Sequence, residues 1–160
     1  MAAPARRPLG MRKNALRLDP VFRRTLYGFI AALFVTGAAW LVADALKTGP
    51  DAEMWQPIAA NLLMLHGGAA MGILMLFGAL VPLHILRAWR SNRNRNSGMV
   101  IAGSNALLIV TAFGLYYLGS ESLRTWASLV HIGFGFALPI LALVHILLGR
   151  RRSRELRGTV

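Results

Sequence analysis

Four histidines are the residues of this sequence best suited to chemistry, because all of them lie inside long apolar segments. His66 and His84 fall in the second apolar segment, and His131 and His145 fall in the fourth. An ionisable side chain is costly in hydrocarbon, so a histidine there is a functional-site hypothesis by default. Imidazole is a common ligand for iron, copper and zinc. The sequence therefore predicts a metal or cofactor site built from these four side chains.

The spacing of the histidines places each pair on one face of its helix. At about 100° per residue, the 18-residue step from His66 to His84 is about five whole turns. The 14-residue step from His131 to His145 ends about 40° from alignment. If the two helices run parallel, His66 and His131 share one depth in the membrane, and His84 and His145 share the other. Two imidazoles at each depth could fill both axial positions of a haem iron.

Two other interpretations of the histidines compete with haem ligation. A single membrane histidine commonly hydrogen-bonds a neighbouring helix and binds no metal. A bare zinc or iron ion needs more ligands than the two histidines that each depth supplies. A porphyrin brings four nitrogens of its own, so two imidazoles complete the coordination. The sequence has no cysteine, which excludes a covalent Cys-x-x-Cys-His attachment, and the predicted cofactors are two non-covalently bound haems b.

Basic and small residues near the histidines could complete such sites. Arg87 lies three residues after His84, and Arg124 lies seven residues before His131, so both are candidates to bind haem propionates. Small residues could leave room for a flat porphyrin, although they also mediate ordinary helix packing. The candidates of this kind are Gly68, Gly103, Gly114 and Gly133.

The unequal spacing of the two histidine pairs requires a distortion in one helix. The steps of 18 and 14 residues correspond to rises of about 27 Å and about 21 Å. Proline removes an intrahelical hydrogen bond and kinks a helix. Pro82, two residues before His84, is therefore the expected place of adjustment, and Pro139 is expected to kink the other helix.

The elements that must position these residues are four membrane-spanning helices. Hydrophobic residues make up 56% of the chain and charged residues 15%, against about a quarter charged in soluble domains. The apolar residues form blocks at about 25–46, 58–89, 99–118 and 123–148, between a basic segment at 1–24 and a basic tail at 150–160. Short connections make neighbouring helices antiparallel, which predicts an all-α up-down four-helix transmembrane bundle over 25–149.

The first apolar block also has features of a cleaved signal peptide. Ala43-Asp44-Ala45 resembles a small-x-small cleavage site. The block is longer than a signal core, and its aromatic residues suit a retained span. We therefore expect it to be a membrane helix.

The net charge of +12 is distributed asymmetrically along the chain. Sixteen of the 18 Lys and Arg residues lie before the first block, between Arg87 at the end of the second block and the start of the third, or after the fourth, and the remaining two are Lys47 and Arg124. This is the positive-inside pattern, which predicts that both termini and the middle loop are cytoplasmic. Attraction to anionic lipid headgroups explains these charges, and nucleic-acid binding is not expected.

Short motifs around the histidines resemble those of a known family. They are Leu65-His66-Gly67-Gly68, Val81-Pro82-Leu83-His84 with Arg87 and Trp89, Val130-His131-Ile132-Gly133, and Val144-His145. They look like bacterial di-haem membrane cytochromes b, such as flavinylation-associated cytochromes and the cytochrome b subunits of formate dehydrogenases and hydrogenases. The resemblance covers the topology of about residues 25–150. The 14-residue spacing is similar to that of the family, whereas the 18-residue spacing departs from it.

The resemblance implies b-type haem and electron transfer across the bacterial inner membrane, with a quinol or a partner redox subunit supplying electrons. The sequence has no catalytic dyad or phosphate-binding loop, so an electron-transfer subunit is expected more than a complete enzyme. The alternative is a haem-free membrane anchor or small transporter, whose histidines would form hydrogen bonds or relay protons.

Overall fold

The structure, a computed structural model, is all-α in the residues that it describes, which are 18–90 and 95–158. Its four helices are α1 (Pro20–Leu46), α2 (Ala52–Arg90), α3 (Arg95–Tyr117) and α4 (Glu121–Gly158). Each is long and apolar enough to cross a membrane. The predicted all-α fold with four membrane-length helices is confirmed, and the chain is a multi-pass membrane protein.

Parts of the predicted basic segments lie outside the described residues. These parts are residues 1–17 of the N-terminal segment, 91–94 of the middle connection and 159–160 of the tail. In the tail, the backbone is helical to residue 158 and side chains are described to residue 151.

The start of α1 is encoded by local capping. The carboxylate of Asp19 accepts hydrogen bonds from the backbone N–H groups of Val21 (2.8 Å) and Phe22 (3.3 Å). Pro20 occupies the first helical position, where its missing N–H would have no intrahelical partner. The helix therefore begins five residues before the apolar block predicted from residue 25.

The second helix begins earlier than its apolar block, at Ala52 and not near residue 58. Pro57, which the sequence suggested as a helix breaker, lies inside this helix. The carbonyl of Asp51 accepts from the N–H groups of Met54 and Trp55, so the first turn closes before the proline. A proline this close to the helix start removes only one hydrogen bond, near the end of the helix where water can replace it.

The interior of the bundle contains small and polar residues, and its exterior is strongly apolar. The buried residues in the described part of the chain are Ala43, Ala59, Ile73, Ser104, Thr111 and Leu138. Large apolar side chains face outward, with Met71 at 71% exposure and Met75 at 79%. This arrangement is expected where lipid replaces water, because lipid tails solvate large apolar side chains and small residues let helices approach closely.

The helices associate as two antiparallel hairpins, the first formed by α1 and α2 and the second by α3 and α4. The hairpins meet where α1 packs on α4, and there the rings of Phe34 and Phe136 lie edge to face with centroids 5.5 Å apart. Since successive helices alternate in direction, α2 and α4 are parallel. The two helices that carry the histidines have little direct backbone contact with each other in the described residues.

A π-helical turn interrupts α2 at Val81–Ile85 and contains both Pro82 and His84. This confirms the distortion that the sequence predicts at Pro82. A π turn contains more residues than an α turn, so it shortens the axial distance between His66 and His84. The change is in the direction that the unequal histidine spacings require. Pro139, in contrast, lies within continuous α-helix in α4.

Candidate functional site: two histidine pairs

The first histidine pair, His66 and His131, meets across the interior of the bundle. The two ring centroids are 6.3 Å apart and the ring planes are inclined at 74°. Both rings are partly buried. Because α2 and α4 have little backbone contact, the side chains span the space between the two hairpins.

Each ring of the first pair is anchored within its own hairpin by a threonine. Oγ1 of Thr36, on α1, is 3.1 Å from Nδ1 of His66. Oγ1 of Thr111, on α3, is 2.9 Å from Nδ1 of His131. Both threonine contacts are made at Nδ1, so Nε2 is not the ring atom that either threonine anchors. Nδ1 anchoring with Nε2 available is the arrangement of most metal-binding histidines.

A glycine makes room for one ring of the first pair. A Cβ atom placed on Gly37 would be 3.1 Å from Cε1 and 3.3 Å from Nδ1 of His66. These distances are shorter than ordinary van der Waals contacts, so any larger residue would push the ring aside. Gly37 follows Thr36 directly, and the two residues together determine where the imidazole lies against α1.

The second histidine pair, His84 and His145, is positioned differently. Oγ of Ser97, in the first turn of α3, is 2.9 Å from Nδ1 of His145. His84 projects from the π turn and lies close enough to His145 for the two rings to interact electrostatically. Near this end of the bundle, the guanidinium carbon of Arg95 lies 4.4 Å from the ring centroid of Trp89. That contact joins the end of α2 to the start of α3.

A constant register in the second hairpin explains why both of its histidines have hydroxyl partners. Thr111 pairs with His131, and Ser97 pairs with His145, with 14 residues between the members of each couple on their own helix. Midway, this antiparallel register places Ser104 opposite Leu138, and both are buried. Seven residues are about two helical turns, so the three levels lie on one face of each helix.

The first hairpin shows the same kind of register. Ala43 is seven residues after Thr36, and Ala59 is seven residues before His66. Both alanines are buried, at 1% and 5% exposure. The antiparallel register set by the Thr36–His66 hydrogen bond places them opposite each other, where small side chains allow the helices to approach closely. Tight packing at this level supports the position of His66.

The two arginines predicted to bind propionates are both exposed at helix ends. Arg87 lies in the last turn of α2, three residues beyond His84. Arg124 lies in the first turn of α4, where it lines a surface groove with Leu115, Glu121 and Ser128. Neither arginine has an ion-pair partner within the described residues. Their predicted role stays a prediction.

The four glycines predicted to make room for a porphyrin lie in different surroundings. A Cβ atom on Gly68, Gly103 or Gly133 would meet nothing within 4 Å. Gly133 lines a shallow groove with Trp126 and Phe134, on the side of α4 about 200° from His131. A Cβ on Gly114 would contact Leu118 and Ala127, as expected for helix packing. The geometry therefore supports packing at Gly114 and does not bring Gly133 to the first pair.

The centroid separation of the first pair can be compared with that of two imidazoles bound to one ion. A metal lies about 2.0–2.1 Å from an imidazole nitrogen, and the ring centre is about 1.1 Å further, so two rings on opposite sides of one ion have centres about 6.2–6.4 Å apart. The observed separation is 6.3 Å. No cluster of three or more His, Cys, Asp or Glu side chains occurs among the described residues. The first pair therefore offers two imidazoles, fewer ligands than a bare zinc or iron ion needs.

Sequence reasoning missed Thr36, Ser97 and Thr111, the hydroxyl residues at the histidine rings. A signal for two of them was present, because Ser97 and Thr111 are 14 residues apart, as His131 and His145 are. Comparing the spacings of polar residues on consecutive apolar helices would have found this match. On α1, no second hydroxyl residue repeats the histidine spacing of α2 together with Thr36. Only the packing of α1 against α2 therefore reveals the role of Thr36.

No protein-family model matches this chain, and comparison with curated proteins and with solved structures finds no similar protein. The resemblance of the histidine motifs to di-haem cytochromes b therefore stays a prediction. Any functional proposal for the chain depends on its own residues and geometry.

Proposed function

We propose that this protein is a membrane electron carrier that holds two b-type haems, one between His66 and His131 and the other between His84 and His145. The observation that carries the proposal is the first pair. Its rings stand 6.3 Å apart, and a threonine occupies each Nδ1. Such a pair matches the separation needed for bis-imidazole ligation and leaves the Nε2 atoms for iron.

The role of the chain would be to bind and insulate the haems. Bound haem supplies one-electron chemistry, and two axial imidazoles leave the iron no open position for oxygen or substrate. The four histidines would hold the two haems, and Arg87 and Arg124, near the two ends of the bundle, would neutralise propionates. The apolar exterior holds the whole assembly in lipid, which excludes water from the space between the hairpins.

The distribution of charge supports an orientation with both termini in the cytoplasm. In that orientation the first pair lies towards the outer face and the second pair towards the cytoplasmic face, as expected for electron transfer across the membrane. We further propose a bacterial inner-membrane location, with a quinol or a partner redox subunit as electron donor. These assignments follow the resemblance of the motifs and the positive-inside pattern.

The test is the haem content of the purified full chain. A reduced-minus-oxidised spectrum should show low-spin b-type haem, and the ratio should approach two haems per chain. His131→Ala should lower the ratio to about one, because its partner His66 cannot hold the iron alone. A control is Asn105→Ala, since Asn105 is also polar and partly buried but lies on α3, where its side chain bonds the carbonyl of Ile101 in its own helix.

Normal haem content in all four single His→Ala variants would rule out histidine ligation. A wild-type chain that takes up no haem would favour the alternative, a haem-free anchor or small transporter in which the histidines form hydrogen bonds between helices or relay protons.

A further inference from the structure

Thr36 and Thr111 each make hydrogen bonds in two directions. Oγ1 of Thr36 donates to the carbonyl of Ala32, at 2.6 Å, and also lies 3.1 Å from Nδ1 of His66. Oγ1 of Thr111 donates to the carbonyl of Leu107, at 2.8 Å, and lies 2.9 Å from Nδ1 of His131. The same pair of contacts, to a backbone carbonyl and to a histidine ring, therefore occurs once in each hairpin, at the two rings of the first pair.

This double bonding determines which ring nitrogen carries the proton. A hydroxyl has one hydrogen, and a backbone carbonyl can only accept. The threonine hydrogen is therefore used on the carbonyl of its own helix, and the threonine oxygen must accept from the ring. Nδ1 of each histidine is then protonated, and Nε2 of the neutral ring keeps its lone pair.

Other threonines show that the histidine contact is not a by-product of helix formation. Thr25 and Thr125 also donate to the carbonyl four residues earlier, both at 3.0 Å. Both are exposed, and neither has a histidine partner among the described residues. Among the threonines that the structure describes, only Thr36 and Thr111 combine the backbone bond with a contact to a histidine ring.

We propose that Thr36 and Thr111 are positioning residues that hold His66 and His131 in the tautomer protonated at Nδ1, so that both rings present an unprotonated Nε2 to one iron. The binding of iron in this proposal rests on the proposed function, whereas the assignment of the tautomer is independent of it. Free histidine prefers the opposite tautomer, in which Nε2 carries the proton. The threonines therefore prepare the site before any ligand binds.

The first experiment tests the tautomer without haem. The full chain, labelled with ¹⁵N-histidine and placed in lipid nanodiscs without added haem, is measured by long-range ¹H–¹⁵N correlation. His66 and His131, assigned with single His→Asn variants, should show a protonated Nδ1 and an unprotonated Nε2. Thr36→Val should move His66 towards the Nε2-protonated form and leave His131 unchanged, and Thr111→Val should do the reverse.

The second experiment measures the effect of each threonine on bound haem. A hydrogen bond from Nδ1–H makes imidazole a stronger donor, and loss of such a partner weakens metal affinity by about 10- to 100-fold. Thr111→Val should weaken one haem by that factor and shift its midpoint potential upward, because a weaker donor stabilises ferric iron less. Thr111→Ser, which keeps the hydroxyl, should restore both values.

Ser104→Ala is the matched control on α3. Ser104 lies seven residues from Thr111 on the same buried face, and its hydroxyl bonds the carbonyl of Val100 without a histidine partner among the described residues. This variant should leave affinity, potential and tautomer unchanged. An equal shift in Ser104→Ala would assign the effect to general packing and overturn the proposal.

The outcomes separate this inference from the proposed function. Wild-type chain that binds two haems, with Thr→Val variants unchanged in tautomer and potential, would overturn the role of the threonines and leave the haems in place. A chain that binds no haem but shows the threonine-dependent Nδ1–H tautomer would refute the electron-carrier proposal and support the role of the threonines. Wild-type chain in which His66 and His131 are protonated at Nε2 would overturn the role of the threonines.

Discussion

Both histidine pairs bring a ring of α2 towards a ring of α4, but they are supported by different kinds of structure. The first pair projects from two regular α-helices, and a threonine of the neighbouring helix bonds each ring. In the second pair His84 projects from a π turn, and the partner of His145 is Ser97 in the first turn of α3. The first site therefore depends on packing between helices, and the second depends on a local irregularity of one helix.

This difference has a physical cause in the lengths of the histidine spacings. Fourteen residues on α4 match fourteen on α3, so regular helices bring His131 and His145 to their hydroxyl partners. Eighteen residues on α2 are too long to match the same two depths. The mismatch is concentrated at the π turn near Pro82, which is at the second pair and away from the first.

The largest expected effect comes from removing the irregularity itself. Pro82→Ala restores an N–H that can bond the carbonyl of Gly78, so the π turn should revert towards regular α-helix and rotate His84. We expect the haem content to fall from two towards one per chain, measured by pyridine haemochrome assay. The first haem should keep its affinity and spectrum.

Pro139→Ala is the control for this change, because Pro139 lies in α4 within continuous α-helix. It should change haem content much less than Pro82→Ala. Loss of the first haem in Pro82→Ala would contradict the independence of the two pairs.

A smaller effect is expected from adding one methyl group beside each pair. The Cβ of Gly37→Ala would lie 3.1 Å from His66, whereas that of Gly98→Ala would lie 3.9 Å from His145, an ordinary contact. Displacing a ring from its preferred rotamer costs about 0.5–1.5 kcal/mol, which is about two- to tenfold in affinity. Haem titration should therefore show weaker binding in Gly37→Ala and unchanged binding in Gly98→Ala. Equal effects of the two variants would show that space beside the ring is not what distinguishes the pairs.

The smallest effect concerns the contact that joins α2 to α3 near the second pair. The cation–π interaction between Arg95 and Trp89 is worth about 0.5–1 kcal/mol at an exposed position. Trp89→Leu should therefore weaken the second haem by about two- to fivefold and leave the first unchanged. Trp126→Leu, at an exposed tryptophan of α4, is the comparison and should affect neither haem. An equal loss at both haems would mean that this contact stabilises the whole bundle.

Much of the fold could be predicted from the sequence, because membrane helices are specified by local properties. Length and hydropathy were sufficient to identify all four helices. The helix ends were less well predicted. Asp19 and Asp51 start their helices several residues before the apolar blocks, since capping depends on backbone hydrogen bonds and not on hydropathy.

The candidate site could be predicted only in part. The four histidines and the distortion at Pro82 follow from residue types and spacing. The threonine and serine partners do not, because a hydroxyl in an apolar helix ordinarily bonds its own backbone, as Thr25 and Thr125 do.

The sequence alone determined that this chain forms four apolar helices and which helix carries each histidine, because both follow from the length and hydropathy of single segments. Only the tertiary structure decided the 6.3 Å separation of His66 and His131 and the choice of Thr36 and Thr111 as their partners. Those features depend on the axial offset and the relative rotation of packed helices. Side-chain packing between helices determines both quantities, and they cannot be derived from any one helix.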